Sequence, residues 1–596
     1  MRKAGFRLFW FFLLALIFCA FSPILQNQYI NFDDTQLILA NPWIQRITLK
    51  NLEVLFLHPE NDFYMPLVFF SFMIQKAVIG LSPASSHLVS VLIHAANAFL
   101  FYRLARLLGL DRLSSCAGML LFALHPLRVE SVAWASERKD LLYAFFFLCS
   151  FSLYLSYRQT SKRRFYLFSL LFFGFSLWSK PAAVTLPLLL AAYDIFLLKK
   201  FTRSSAVALS PFIFLSVYFI ALTLFTQATL IPNLQHRFDP LHFTDLFSQA
   251  FLFYVSKIAA PSHLSFLYAF PYAASDLRFH SLAAFFFTAV LIFASFDKTK
   301  TAIVSFGLLF FFLTLLPMLQ VAYVRMVVAD RYTYLPAAGL TLALVSLIHE
   351  RKNHMARRVI LVVIMAISFI FFRQTYERAQ VWRDDIRLWS DVIRTDARNE
   401  RAYILRGVAY GEAHQYSNAL KDFETIVKIE PSSCYNSIYD FEAYGEMAGI
   451  YAKQNDRPRA LKFYAKALRE TNRLIALRKL QYADSNIRKQ LISDYLRINL
   501  SKASMLHNMG VVYRQSRQPV RAEHLFRQAL YVHPLLASAF FQLASLHYEK
   551  GAFLQAQQEI RKSVYLNPND SNARLLFLRI ENSLSHPAIP PPIDSP

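Results

Sequence analysis

The sequence predicts an all-α membrane protein, in which a polytopic helix bundle is followed by an α-solenoid. Of its 596 residues, 55% are hydrophobic and only 17% are charged, whereas soluble domains average about 25% charged residues. Apolar stretches recur through the first 372 residues, and charged residues become frequent from Arg373 onwards. The second part repeats a motif at a spacing of about 34 residues. We therefore divide the chain into residues 1–372, residues 373–585 and a tail at 586–596 that we expect to be disordered.

About eleven apolar stretches are predicted to cross the membrane, since a crossing needs about 20 apolar residues. The predicted spans are 6–25, 86–108, 113–130, 140–158, 164–179, 182–198, 205–227, 279–296, 301–320, 332–349 and 356–372. The first stretch is long and has no clear small-residue cleavage site, so we expect a retained helix. Two further segments, 65–80 and 246–268, are short or interrupted by Lys and Pro. We expect them to lie along the outer interface.

Basic clusters mark every second connection between the predicted spans. They are Arg2, Lys3 and Arg7; Arg103, Arg106 and Arg112; Arg158 and Lys162 to Arg164; Lys199, Lys200 and Arg203; Lys298 and Lys300; and Arg351, Lys352, Arg357 and Arg358. This positive-inside pattern predicts a multi-pass protein with a cytoplasmic N-terminus and an extracytoplasmic C-terminal part. The same basic clusters account for much of the net charge of +24. Since they can contact anionic lipid headgroups, no nucleic-acid partner is expected.

The later part of the chain contains helical repeats. In "RGVAYGEAHQYSNALKDFETIVKIEP", Gly407, Tyr410, Ala419, Phe423 and Pro431 fit the tetratricopeptide template. The stretch "NMGVVYRQSRQPVRAEHLFRQALYVHP" fits it again, a further copy follows, and a looser copy precedes the irregular stretch 471–502. Such arrays form solenoids with a concave protein-binding groove. The groove is expected to hold either a polypeptide substrate or, in the simpler interpretation, a scaffold partner.

Ionisable residues gather at the predicted outer ends of the apolar stretches. "NFDD" places Asp33 and Asp34 after the first stretch. The segments "HPLRVESVAWASERKDLL" and "YVRMVVADRYTYLP" contribute His125, Arg128, Glu130, Glu137, Arg138, Asp140, Arg325, Asp330 and Arg331. Ionisable groups at membrane depth are costly and indicate function. In a bundle these ends can converge on one pocket.

Carboxylates beside Arg, Lys and His at an outer membrane surface suit sugar transfer from a polyprenyl-phosphate donor. A carboxylate can take the proton of an acceptor hydroxyl, and cations can stabilise the charge on the leaving phosphate. One base acting directly on the acceptor implies inversion at the anomeric carbon. The spacing of acidic, His and Cys residues does not indicate a metal site, so we assign no cofactor, and the use of a divalent metal stays open.

Simpler interpretations of these residues stay open. Asp33 or Asp34 can cap a helix beginning near Thr35. The acids and bases of 137–140 can form a solvated salt-bridge cluster, and Arg325 can simply extend towards the interface. The whole chain can also be a non-catalytic membrane scaffold or assembly protein, or a transporter.

The same segments resemble the transmembrane and tetratricopeptide-repeat-containing O-mannosyltransferases, especially their shorter bacterial relatives, within the GT-C glycosyltransferase superfamily. The resemblance is carried by "NFDDTQLILANPWI", "HPLRVESVAWASERKDLLYAFFFLCSFSLYL" and "VADRYTYLPAAGL". It implies transfer of mannose or another hexose from a lipid-linked donor to Ser or Thr of a protein held by the repeats, at the bacterial inner membrane.

The resemblance also implies roles for residues of the site. An acid of the first outer loop acts as base in that superfamily, which here corresponds to Asp33 and Asp34, with Asp33 favoured. His125, Glu130, Glu137, Arg138 and Asp140 would belong to the catalytic face. Arg325, Asp330 and Arg331 would lie where the donor phosphate binds.

Overall fold

The computed structural model describes residues 3–58, 64–226, 240–268, 302–319, 328–349, 353–429, 439–481 and 488–585. These ranges are helical and contain no strand, so the all-α prediction is confirmed for them. The chain divides into two compact units, Met1–Ala397 and Arg398–Pro596. The predicted span at 279–296 and the predicted disordered tail lie outside the described residues.

The first unit contains fifteen α-helices within its described ranges. They are α1 Lys3–Phe21, α2 Leu49–Leu57, α3 Pro66–Ile79, α4 Pro83–Leu107, α5 Arg112–Leu124, α6 Val129–Ala133, α7 Arg138–Thr160, α8 Arg163–Ser179, α9 Leu186–Ala192, α10 Arg203–Thr226, α11 Pro240–Ala259, α12 Ala302–Leu315, α13 Pro336–His349, α14 His354–Val381 and α15 Asp385–Thr395. Short 3-10 or π turns join several of them, including Thr35–Leu39, Pro126–Arg128, Ala135–Glu137 and Asp330–Thr333.

Side-chain caps fix where several of these helices begin. The Asp111 carboxylate accepts the backbone N–H groups of Leu113 and Ser114 at the start of α5. The Asn353 side chain does the same for the N–H groups of Met355 and Ala356 at the start of α14. The first N–H groups of a helix have no partner within the helix, so such caps define its start.

Four helical segments of the described residues are long and apolar enough to cross a membrane: Pro83–Leu107, Ala135–Thr160, Arg203–Thr226 and Met355–Val381. The pair Arg112–Leu124 and Pro126–Ala133, bent by 56°, gives a fifth if it forms one span. Large apolar side chains on α10 and α14 are exposed, with Phe214 and Phe369 each 71% accessible, as expected for contact with lipid. These are features of a membrane protein.

The number of eleven crossings stays a prediction, since several predicted spans form shorter or broken helices. The predicted span 182–198 consists of Pro181–Thr185, Leu186–Ala192 and Tyr193–Leu197, three turns of different helix type. The predicted interfacial segment at 65–80 forms α3. This helix buries Val68, Phe69 and Phe72 in one hydrophobic cluster with Leu55 and Leu142.

The second unit consists of helices that pack in successive pairs. They are α16 Glu400–Glu412, α17 Tyr416–Lys428, α18 Asp440–Lys453, α19 Arg457–Gln481, α20 Arg488–Gln515, α21 Pro519–Val532, α22 Ala537–Glu549, α23 Phe553–Leu566 and α24 Ser571–Ser585. The described residues of the predicted irregular stretch, 471–481 and 488–502, belong to α19 and α20, which are longer than the other helices of this unit.

Small residues allow the paired helices to approach each other. A Cβ atom at Gly407 would lie 2.4 Å from the ring of Phe423, and one at Gly510 would lie 2.7 Å from the ring of Phe526. Both contacts join a glycine of the first helix to an aromatic ring of the second helix, at equivalent positions of the two repeats. The repeat pattern in the sequence is therefore a packing requirement of the helix pair.

Candidate active site

Asp34 is completely buried, and its carboxylate links the first loop to the turn that precedes α7. One oxygen, Oδ2, accepts the N–H of Ile30 at 3.1 Å. The other, Oδ1, accepts the N–H of Ser136 at 2.9 Å and also the hydroxyl of Ser136. Burial raises the pKa of Asp34 to about 6, while these hydrogen bonds oppose the rise. Both carboxylate oxygens are thus used in holding the loop in place.

The capping interpretation is wrong for the Asp34 side chain. The short helix Thr35–Leu39 begins directly after Asp34 but receives no side-chain cap from it. Its carboxylate instead bonds to an upstream N–H and to Ser136, more than 100 residues away in sequence.

Asp33 occupies a different environment from its neighbour. Its side chain is half-buried, whereas Asp34 has no accessible surface. The Asp33 carbonyl accepts the N–H of Leu37 at 2.8 Å, which fixes the backbone at this position. Of the two adjacent acids, Asp33 is therefore the one with access to the surroundings.

A buried charge cluster joins three of the predicted residues from separate segments of the chain. Arg331 donates its backbone N–H to Glu130 Oε2 at 3.1 Å and pairs through its guanidinium with Glu130 Oε1. Its Nε lies 3.4 Å from Glu137 Oε1, and Lys139 Nζ lies 2.8 Å from the same oxygen. Burying these charges is tolerable because each has an opposite partner.

Asp140 extends this cluster through an ion pair with Lys180. The Lys180 ammonium lies 5.4 Å from the centre of the Tyr332 ring, and the Arg331 guanidinium lies 4.8 Å from the same ring. Across the cluster, Lys139, Lys180 and Arg331 balance Glu130, Glu137 and Asp140. The Lys139 and Lys180 side chains keep 15% and 16% of their surface accessible, against 5% or less for the other four side chains.

The other predicted arginines bind protein groups elsewhere. Arg128 donates to the carbonyl and hydroxyl of Thr333, at 3.0 and 3.2 Å. Arg138 donates to Gln75 Oε1 at 2.6 Å and lies 3.8 Å from the centre of the Phe72 ring. Although Arg138 is adjacent in sequence to Glu137, it points towards α3 instead of the charge cluster.

Two further predicted residues have partners of their own. His125 Nε2 lies 2.9 Å from the Ile258 carbonyl oxygen. The Tyr268 hydroxyl donates to Asp330 Oδ1 at 2.6 Å, and burial raises the pKa of Asp330 to about 6. Arg325 lies outside the described residues.

Sequence reasoning missed Ser136 and Trp134, although both lie in the motif that supplied most site residues. The Arg331 and Lys139 cations lie 5.4 and 5.6 Å from the centre of the fully buried Trp134 ring. The ring of Phe32, next to Asp33, lies 5.8 Å from the same ring. Trp134 therefore contacts both the first loop and the charge cluster. Ser136 and Trp134 gave no signal in the sequence, since neither is ionisable.

Within the described part of the chain, no group of three or more His, Cys, Asp or Glu residues is arranged to hold a metal ion.

Comparisons with known proteins agree with both parts of this architecture. Tetratricopeptide-repeat models match residues 503–533 and 537–570. The human protein O-mannosyl-transferase TMTC3 is 22% identical over an alignment covering 91% of this chain and 62% of that protein. The chain is homologous to the transmembrane and tetratricopeptide-repeat-containing O-mannosyltransferases. Human TMTC2 is 34% identical, over 28% of this chain and 21% of its own length.

The chain spans about 62% of the length of TMTC3. Among solved structures, the crystal structure of MamA is similar at 14% identity with a TM-score of 0.23, covering 31% of this chain and 88% of MamA. The resemblance predicted from the sequence is confirmed by the O-mannosyl-transferase relatives and by the repeat models.

Proposed function

We propose that this protein is a membrane glycosyltransferase. It moves a hexose, with mannose as the first candidate, from a polyprenyl-phosphate donor to a Ser or Thr hydroxyl of a polypeptide held by the repeats. The observation that carries this proposal is the contrast between the two adjacent acids. The Asp34 carboxylate is fully buried and bound by Ser136 and Ile30, whereas Asp33 beside it is only partly buried. The O-mannosyl-transferase relatives supply the reaction class.

In the proposed reaction Asp33 is the general base. The acceptor oxygen attacks the anomeric carbon while its proton passes to the Asp33 carboxylate. The bond between the anomeric carbon and the phosphate oxygen breaks, and the lipid phosphate leaves with the electron pair. Because the attack is direct, the configuration at the anomeric carbon inverts. Asp34 holds the loop that positions the base.

The leaving phosphate would be stabilised by cations at the charge cluster. Lys139 and Lys180 are its more accessible cations, and Arg331 is fixed behind them by Glu130. A phosphate that approaches this cluster meets donors that are already oriented, so little reorganisation is needed as charge develops. By resemblance to the O-mannosyl-transferases we also assign Arg325 and Asp330 to the donor side, while His125, Arg128 and Arg138 bind other protein groups.

The proposed topology places the N-terminus in the cytoplasm and the repeats outside, with eleven crossings. In this arrangement "NFDD" and the repeats share the extracytoplasmic side. Labelling of single cysteines introduced by Gln36→Cys and Glu400→Cys tests it. Both should react with an impermeant maleimide added from outside, and labelling from opposite sides would contradict the topology.

Mass spectrometry tests the proposed activity. Secreted and envelope proteins from cells with and without the gene are searched for hexose on Ser and Thr, and the gene is restored as wild type, Asp33→Asn or Glu377→Gln. Glu377 is 57% exposed and pairs with its helix neighbour Arg373, so Glu377→Gln is the matched charge control. Loss of a general base costs about 10²- to 10⁴-fold in rate.

The expected result is that Asp33→Asn abolishes detectable glycan while the protein accumulates in the membrane at the normal level. Glu377→Gln restores it fully. If Asp33→Asn also restores the glycan, the base assignment is wrong. If no hexose depends on the gene at all, the protein acts as a non-catalytic scaffold that uses its repeats for protein binding.

A further inference from the structure

The segment that runs from the end of α14 into α15 holds the loop that carries Asp33 through four contacts. Asn27 donates its amide to the Ala379 carbonyl at 3.3 Å, and the Gln28 N–H donates to the Arg383 carbonyl at 2.9 Å. The last two contacts both involve Asn31, two residues before Asp33. All four join segments more than 350 residues apart in sequence, so they depend entirely on the tertiary fold.

Asn31 is held on both its backbone and its side chain by one face of α15. Its N–H donates to Asp385 Oδ1 at 2.9 Å, and its Oδ1 accepts the indole N–H of Trp389 at 2.9 Å. Residues four apart on a helix lie on the same face, so Asp385 and Trp389 form a two-point clamp on one residue. Trp389 is completely buried, which shields its hydrogen bond from water.

The residue between Asn31 and Asp33 is held by aromatic packing. The Phe32 ring lies 6.0 Å from Trp389, 5.2 Å from Phe266 and 5.8 Å from Trp134. Asp33 is followed by Asp34, which Ser136 holds. The proposed base therefore has an anchored neighbour on each side, and α15 supplies the upstream anchor.

We propose that Asp385 and Trp389 are positioning residues for Asp33. This inference rests on the proposed function, since it assigns the clamp a purpose in proton transfer. A catalytic carboxylate must be held within about 0.5 Å of its productive position, and a misplacement of about 1 Å can cost about 100-fold in rate. The clamp does not touch the substrate, so its loss should lower kcat with little change in the apparent KM for the donor.

The key variant is Trp389→Phe, which keeps an aromatic ring but removes the indole N–H that Asn31 accepts. Its matched control is Trp382→Phe. Trp382 is also fully buried and packs against Phe266 and Trp134, but among the described residues its indole N–H has no hydrogen-bond partner. Both variants lose similar volume from the same aromatic cluster, and only Trp389→Phe loses a hydrogen bond to the loop.

A second pair of variants tests the other half of the clamp. Asp385→Asn keeps a side-chain oxygen that can accept the Asn31 N–H, whereas Asp385→Ala removes it. A positioning role predicts that Asp385→Asn retains most of the activity and Asp385→Ala loses it. A purely electrostatic role of Asp385 predicts that both variants lose it equally, and that outcome would overturn the inference.

Two readouts are measured on the full-length protein in detergent. Hydrogen exchange reports protection of the peptide covering residues 28–37. Initial rates report transfer from radiolabelled polyprenyl-phosphate mannose to secreted protein prepared from cells that lack the gene. For Trp389→Phe we expect exchange protection to fall about 5- to 10-fold and kcat to fall about 10- to 100-fold, with donor KM within threefold of wild type. Trp382→Phe should change both by less than threefold.

The outcomes separate the two proposals. If Asp33→Asn keeps transfer, the base assignment fails whatever the clamp variants do. If Asp33→Asn abolishes transfer while Trp389→Phe and Asp385→Ala keep both protection and kcat, the positioning inference alone is wrong. A loss of protection with unchanged kcat would also overturn it, since the clamp would then order the loop without serving the reaction.

Discussion

Removing one hydroxyl, by Ser136→Ala, should loosen the loop that carries the acidic pair. The Asp34 carboxylate is bound by three donors, of which the substitution removes only the Ser136 hydroxyl. The backbone N–H groups of Ile30 and Ser136 stay in place. The experiment therefore measures the contribution of a single hydrogen bond to a buried acid.

The expected cost follows from the burial of Asp34. A hydrogen bond to a buried charged group contributes about 1.5–3 kcal/mol, and one to a neutral group about 0.5–1.5 kcal/mol. Because the hydroxyl favours the charged carboxylate over the neutral one by about 1–1.5 kcal/mol, its loss should raise the pKa of Asp34 by about one further unit. Burial has already raised that pKa to about 6.

The direction of the pH dependence can be worked out from this pKa. Because the folded pKa lies above the ordinary Asp value of 3.8, burial of Asp34 favours the fold at low pH, where the group is neutral. This advantage is lost as the pH rises through about 6 and the buried group becomes charged. Ser136→Ala should therefore destabilise the loop more at pH 8, where the missing bond is charge-assisted, than at pH 5.

Hydrogen exchange of residues 28–37 measures the effect, expressed as a protection factor so that the intrinsic pH dependence of exchange cancels. A cost of 1.5–3 kcal/mol corresponds to about a 10- to 100-fold loss of protection at pH 8, and we expect less than tenfold at pH 5. Ser131→Ala is the control, since the Ser131 hydroxyl is equally buried but has no hydrogen-bond partner among the described residues. Equal protection in the Ser136→Ala and Ser131→Ala proteins, or a larger effect at pH 5 than at pH 8, would refute the reasoning.

Two further predictions concern packing and charge. Gly407→Ala places a methyl group 2.4 Å from the Phe423 ring, so it should lower the stability of the repeat unit by about 1–3 kcal/mol and lower its thermal midpoint. The control Gly411→Ala places its methyl group where no neighbouring atom lies within 4 Å, so it should not lower that midpoint. Arg331→Gln leaves the buried Glu130 carboxylate without its guanidinium partner and should cost about 3–5 kcal/mol. Arg394→Gln, at a 78% exposed side chain, should cost at most about 1 kcal/mol. Unfolding monitored by cysteine reactivity would measure the costs of the two arginine variants. Equal costs would contradict the conclusion that Arg331 stabilises the protein through its buried ion pair.

Features that depend on nearby residues could be predicted from the sequence. The helical character, the apolar stretches and the tetratricopeptide repeats arise from composition and periodicity within a few tens of residues. The motifs "NFDD" and "HPLRVESVAWASERKDLL" also directed attention to the right segments, since charged residues beside apolar stretches stand out in any sequence. The resemblance to the O-mannosyltransferases depended on the same segments.

How deeply each charged side chain is buried, and which partners it meets, was decided only by the tertiary structure. Asp33 and Asp34 are adjacent and chemically identical, yet only Asp34 meets Ser136 and loses all access to solvent. Arg331 reaches Glu130 across 201 positions of sequence, while Arg138 turns from its neighbour Glu137 towards Gln75. Burial, nearby charges and hydrogen-bond partners are set by segments distant in the chain, and the free energy of a charged group depends on them. The sequence by itself determined where the charges lie along the chain, and the packing of the helices determined how deeply each of them is buried and which partners it meets.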